Sequence, residues 1–220
     1  MRSRFLIQLV VLLPSIAAAQ ALTQPDLKEL LARVRERRMS SPDVHANFQE
    51  QKTIHLLNKP LVSSGKIWFH APNKFRREVG GNSPSVTVSN GRDLWIYYAN
   101  FKSAEHYTLG KRSPVDAVIA AINTALNLDN VENTFQISGM KAGSDYELQL
   151  LPRSPSMKRM FQRFDLRLNS DLAVDRTDMI QPSGDRVVTI YSNLTHARIP
   201  ESTFEFTPPA GTEVTSPLGR

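Results

Sequence analysis

The chain has 220 residues, with 27 Lys and Arg against 21 Asp and Glu, a formal net charge of +6 and an isoelectric point near 9.7. That length builds one domain or two small ones, and 40% hydrophobic with 22% charged residues excludes wholesale disorder, collagen and low-complexity architectures. A sequence without cysteine excludes disulfides, Cys-ligated zinc, iron–sulfur clusters, a thiol nucleophile and cysteine lipidation, while the basic excess points only weakly to anionic partners.

Arg2 and Arg4 precede an apolar run from Phe5 to Leu13, and Ala17-Ala18-Ala19-Gln20-Ala21 follows with two small-x-small sites. This is the pattern of a secretory signal peptide. The run is too short to cross a hydrocarbon core of about 30 Å. Residues 1–19 are therefore expected to be removed, with cleavage after residue 21 as the second option. Residues 20–220 then form a single exported domain that is not embedded in a membrane. Export without cysteine fits the bacterial periplasm.

The mature chain opens on a helix over Asp26–Arg38. Leu27, Leu30, Leu31 and Val34 recur on one face, Thr23 reads as the N-cap, and Arg33, Arg35, Arg37 and Arg38 gather at its end. That cluster reads as a solvated helix end or as a contact for anionic lipid or a partner. Strands follow at Ala46–Leu57, Val62–His70, Lys74–Val79, Ser85–Ser89 and, after an Asn90-Gly91 turn, Asp93–Ala99. A second helix spans Pro114 to about Leu128, with Ser113 as N-cap and an apolar stripe of Val115, Val118, Ile119, Ile122 and Leu126. Strands resume at Thr134–Gly139, Tyr146–Leu151, Phe161–Leu168, Ala173–Ile180, Arg186–Asn193 and Ser202–Phe206. The expected fold is mainly β with two or three helices, about eleven strands in one consecutive antiparallel meander. Such a curved sheet holds either a filled core or an apolar ligand cavity, and the pattern allows both.

Catalytic signatures are missing. The five histidines form no His-x-x-x-His pair, Ser63-Ser64-Gly65-Lys66 lacks the remaining parts of a phosphate loop, and no Gly-x-Ser-x-Gly elbow occurs. Asp171, Asp175 and Asp178 read as turn and edge-strand solvation. Arg76-Arg77 and Lys158-Arg159 read as edge-strand charge as readily as phosphate grips. The expectation is a non-enzyme without metal, cofactor or nucleic-acid partner.

Five ordered stretches resemble the LolA family of periplasmic lipoprotein carriers: Asp26-Leu27-Lys28, Val44 to Lys52, Gly65 to Phe75, Val88 to Tyr98, and Phe204 to Gly211. The resemblance implies a half-open antiparallel barrel closed by a helical lid, with acyl chains bound on the apolar concave side. It further implies acylated lipoproteins or other lipids as cargo, an inner-membrane ATP-driven extraction complex as donor, an outer-membrane receptor as acceptor, and a monomeric carrier. Strand alternation puts Ile67, Phe69 and Ala71 on one face, taken as the concave one. The lid candidates are Leu30, Val34, Val118, Ile119 and Ile122, which would equally be core in a filled barrel. Phe75 matches the family position linked to engaging the extractor, though it also reads as core. The family arginine that ties the lid shut is replaced here by Ala71. Two alternatives keep the fold: a carrier of another outer-membrane lipid, such as a glycolipid or pigment ester, or a lipid-sensing interaction module.

Overall fold

The computed structural model of the protein describes residues 19–110, 128 and 131–217. Its frame is one open sheet of thirteen strands. After a two-residue strand β1 (Gln20–Ala21) comes helix α1 (Gln24–Ser40), then β2 (Asp43–Thr53), β3 (Leu61–His70), β4 (Lys74–Val79), β5 (Ser85–Ser89), β6 (Asp93–Tyr98) and β7 (Ser103–Thr108). A short helix α2 (Val131–Thr134) leads into β8 (Phe135–Ala142) and β9 (Asp145–Pro152). The one-turn helix α3 (Pro155–Lys158) precedes β10 (Arg163–Leu168), β11 (Val174–Ile180) and β12 (Arg186–Thr195), and β13 (Glu213–Thr215) comes last.

The sheet order is β1-β8-β9-β10-β11-β12-β2-β3-β4-β5-β6-β7-β13. Two antiparallel meanders, β2–β7 and β8–β12, are thus fused through a long β12–β2 ladder that runs from Arg186↔Thr53 to Thr195↔His45. The expected single consecutive meander is corrected on this point. β13 adds a parallel strand to β7 at one edge. Three strands exceed the expected set: β1, β7 and β13. The expected strand at Ser202–Phe206 is instead a 3-10 turn over Glu201–Phe204 followed by extended chain. Pro200 starts the turn, and the Thr203 N–H donates to its carbonyl over 3.0 Å. The two aromatics of this stretch dock separately on the outer face of the sheet. Phe204 lies 6.2 Å from His70, while Phe206 lies 5.9 Å from Trp95 and 5.7 Å from Tyr97.

Helix α1 forms where the apolar spacing places it. Leu27, Leu30, Leu31 and Val34 are its buried side chains, packed with Phe135, Leu148, Leu150, Leu166, Leu168 and Val174 from β8–β11. Its start is a complete capping box, in which the Thr23 hydroxyl accepts from the Asp26 N–H and the Asp26 carboxylate accepts from the Thr23 N–H over 3.1 Å. The hydrogen bonds that the Asp26 carboxylate accepts from the Thr23 hydroxyl, over 2.6 Å, and secondly from the Thr23 N–H hold the carboxyl below its ordinary value. Their support exists above the unfolded carboxylate pKa and disappears as pH falls through the lowered one. Thr23→Ala is expected to cost about 1 kcal/mol, read in a thermal melt as a drop of about 2–4 °C. An unchanged midpoint would show that α1 is held by its apolar face alone.

The predicted helix over Pro114–Leu128 lies outside the described residues apart from Leu128, which is fully buried in the core. The Asn90-Gly91 signal is realised as a tight turn. The Asn90 Oδ1 accepts from the N–H groups of Arg92 (2.9 Å) and Asp93 (2.7 Å), with Gly91 at φ 87°.

Candidate functional site

Where the C-terminal end of α1 overhangs the β12–β2 seam, a cavity of about 70 Å³ remains. The register explains its walls. Val44 faces Phe69, Ala46 faces Ile67, and Phe48 faces Tyr191 across neighbouring strands, and directly opposed antiparallel residues share a face. Val44, Ala46, Ile67 and Phe69 therefore supply one apolar wall, and Tyr191 and Leu194 of β12 continue it. The buried Ala46, with its single methyl group, leaves the space that a larger side chain would fill.

The turn between β10 and β11 supplies the opposite wall through Leu172, Ala173 and Val174. Leu172 sits at φ 62°, a left-handed conformation that costs a residue with a Cβ about 1–2 kcal/mol. Asn169 offsets this cost: its Oδ1 accepts from the Asp171 and Ala173 N–H groups, both at 3.0 Å. The result is a leucine side chain held against the cavity from a loop.

Charge is confined to the rim. Arg37, Arg38, Asp171 and His196 border the opening, and the Arg38 guanidinium lies 5.7 Å from the Phe69 ring centroid. His196 Nδ1 is 3.0 Å from the Asp43 carbonyl oxygen. Farther along the same sheet face the wall turns polar. Arg77 pairs with Glu50 at 2.9 Å and stacks 4.2 Å from the Phe48 ring, and the Thr189 hydroxyl donates to Glu50 over 3.4 Å. Removal from water raises the Tyr191 phenol above its ordinary value, with a hydrogen bond to Thr177 opposing the shift, so the ring stays neutral. The apolar zone is thus bounded by an ion pair inside and by arginines at its mouth.

Of the residues singled out from the sequence, Ile67 and Phe69 meet in the cavity wall. Leu30 and Val34 lie one layer away, in the core between α1 and β8–β11. Ala71 follows β3, donates its N–H to the Pro42 carbonyl over 3.0 Å, and is not among the lining residues. Phe75 stands opposite Phe69 on the same sheet face, half-buried. Val118, Ile119 and Ile122 lie outside the described residues. Sequence reasoning missed Val44, Ala46, Leu172, Val174, Tyr191 and Leu194 as lining residues. Its one partial signal was the arginine cluster at the end of α1, whose Arg37 and Arg38 reach the rim while Arg35 pairs with Glu132 at 3.3 Å. Arg76 is engaged by Glu78 at 2.6 Å, Asp175 by Arg167 at 2.7 Å, and Asp178 by Arg186.

An open antiparallel sheet that holds a helix over an apolar cavity defines a half-open β-barrel domain. The family model described as outer membrane lipoprotein carrier protein LolA matches residues 40–207, and the chain belongs to that family. It is 24% identical over 210 residues to the outer-membrane lipoprotein carrier protein of Chromobacterium violaceum, covering 93% of this chain and 96% of the relative. It is 25% identical over 172 residues to the carrier protein of the same description from Klebsiella pneumoniae, covering 77% and 79%. Among solved structures, a LolA superfamily protein from Nitrosomonas europaea superimposes with a TM-score of 0.45 at 13% identity, covering 81% of this chain and 97% of that one.

Proposed function

We propose that this protein is a periplasmic carrier that shelters the acyl chains of lipoproteins and moves them from the inner to the outer membrane. The observation that carries the reading is the apolar cavity of Val44, Ala46, Ile67, Phe69, Leu172 and Leu194 in a member of the LolA family. Relatives bearing the name outer-membrane lipoprotein carrier protein support it. Each methylene left in water costs about 0.8 kcal/mol, so an acylated protein cannot cross an aqueous gap unaided. Release must also be possible, and a wall without deep polar anchors favours a reversible hand-off. At about 70 Å³ the cavity matches the volume of a few methylene groups. A full acyl chain enters only when the end of α1 and the Asn169–Ala173 turn part from the sheet.

In this reading residues 1–19 are the export signal. Leu30, Val34, Val118, Ile119 and Ile122 belong to the lid side, Ile67 and Phe69 to the cavity, and Phe75 to the surface met by an ATP-driven extraction complex. An outer-membrane receptor takes the cargo. Ala71 leaves closure to other contacts, among them Arg38 over Phe69. The protein acts by binding and not by catalysis.

The test is native mass spectrometry of the protein purified from periplasm, followed by organic extraction. A bound triacylated lipoprotein or its acylated peptide is the expected result. A glycolipid or phospholipid alone would overturn lipoprotein as the cargo and retain the cavity, and a lipid-free protein would overturn both.

A further inference from the structure

We propose that the tip of the β2–β3 hairpin, residues 54–62, is a docking surface for bilayers that contain anionic phospholipid. The proposal does not depend on what the cavity carries. Strand register sets the geometry. β2 and β3 pair from Asp43↔His70 to Lys52↔Leu61, whereas β4 joins β3 only from Gly65 onward, and β12 reaches β2 no farther than Thr53. The start of β3 therefore runs on past β4, and the loop over 54–60 continues beyond the last β12–β2 pair.

Four aliphatic side chains stand in the open there. Leu56 is 89% exposed, Val62 63%, Leu61 52% and Leu57 47%. Single exposed aliphatics are ordinary, but a cluster marks a surface built to meet something apolar. Folding back does not relieve it, because the tip is pinned. The Leu57 N–H donates to the Ile54 carbonyl over 2.9 Å, and the His55 N–H donates to Asp185 Oδ1 over 2.8 Å.

Charge selects the partner. From Gln51 to Arg77 the sequence carries no Asp or Glu. Lys74, Arg76 and Arg77 are drawn to Glu201, Glu78 and Glu50, while Lys52 and Lys59 flank the aliphatics. Asp185, the acid at the base of the tip, accepts the His55 N–H. Leucines flanked by Lys52 and Lys59 match an interface in which alkyl groups enter the headgroup boundary and ammonium groups meet phosphate. The tip lies at the far end of β2 from Ala46, about 23 Å at ~3.3 Å per residue, so docking leaves the cavity mouth clear.

The experiment is co-sedimentation of the mature full-length chain with large unilamellar vesicles of phosphatidylethanolamine and phosphatidylglycerol, against vesicles of phosphatidylcholine alone. The native chain is expected to pellet with the anionic vesicles. L56E/L57E should lose at least about tenfold in partitioning, and K52Q/K59Q about tenfold, an effect that high salt reproduces. Leu56→Trp should show blue-shifted emission with anionic vesicles only. Thermal midpoints of all variants should match the native chain, since none of the changed side chains belongs to the buried core. Failure of the native chain to bind, equal binding by L56E/L57E, or an effect of that variant on self-association in place of vesicle binding would each overturn the proposal.

Discussion

Gly65→Val is expected to lower the unfolding midpoint by about 10 °C, the largest stability loss foreseen for a single substitution. A Cβ at this position would stand 1.8 Å from the Glu78 carbonyl oxygen and 2.9 Å from Cε1 of Phe48. The first contact is with backbone, so no rotamer change relieves it, and the β3 and β4 strands must separate locally. Forced overpacking of this kind costs about 3 kcal/mol or more, and each kcal/mol moves the midpoint of a domain this size by about 2–4 °C. Differential scanning calorimetry of the purified variant checks it. A shift of under about 2 °C would mean that the β3–β4 ladder yields at Gly65 without loss. The loss would also reach Phe48 and Arg77, whose stacked pair lies beside this contact.

The second large effect is on cargo. Phe69→Glu is expected to reduce the lipid recovered with the protein at least about tenfold. Phe69 is buried in the cavity wall under Arg38. A carboxylate there either remains charged in an apolar surround, at a cost of several kcal/mol, or turns to Arg38 and draws the rim across the opening. Both outcomes exclude alkyl chains. Phe69→Leu keeps the surface apolar and should retain most binding, while Ala46→Leu should block the cavity by volume with no change of charge. Quantitative lipid extraction from the three variants, each with a native-like melt, separates these cases. Undiminished lipid in both Phe69→Glu and Ala46→Leu would remove the cavity from the carrier mechanism.

Much of the frame was legible because local pattern and tertiary fate coincide. Leu27, Leu30, Leu31 and Val34 recur with helical spacing and are the residues that α1 buries, and β4 and β5 occupy the expected Lys74–Val79 and Ser85–Ser89. β7 was not legible, since Ser103–Thr108 is half polar and owes its strand geometry to the ladder with β6 and to β13 on its other side. Phe204 and Phe206 mimic strand alternation, yet each answers to its own aromatic neighbours on the outer face. The site was half legible. Ile67 and Phe69 follow from alternation along a single strand, but Leu172, Tyr191 and Leu194 arrive from distant parts of the chain. They enter the wall through an Asn169-held turn and the β12–β2 seam, neither of which leaves a periodic trace.

That seam also dictates when the molecule can exist. β2 begins near the N-terminus, and its partner β12 does not end until Thr195. The two meanders can condense separately, but the surface they share is complete only when almost the entire polypeptide is free to pair. Pairings this remote in sequence delay folding. A partial chain is therefore kept pliant by its own topology, and acquires its sheltered interior only when β12 closes on β2.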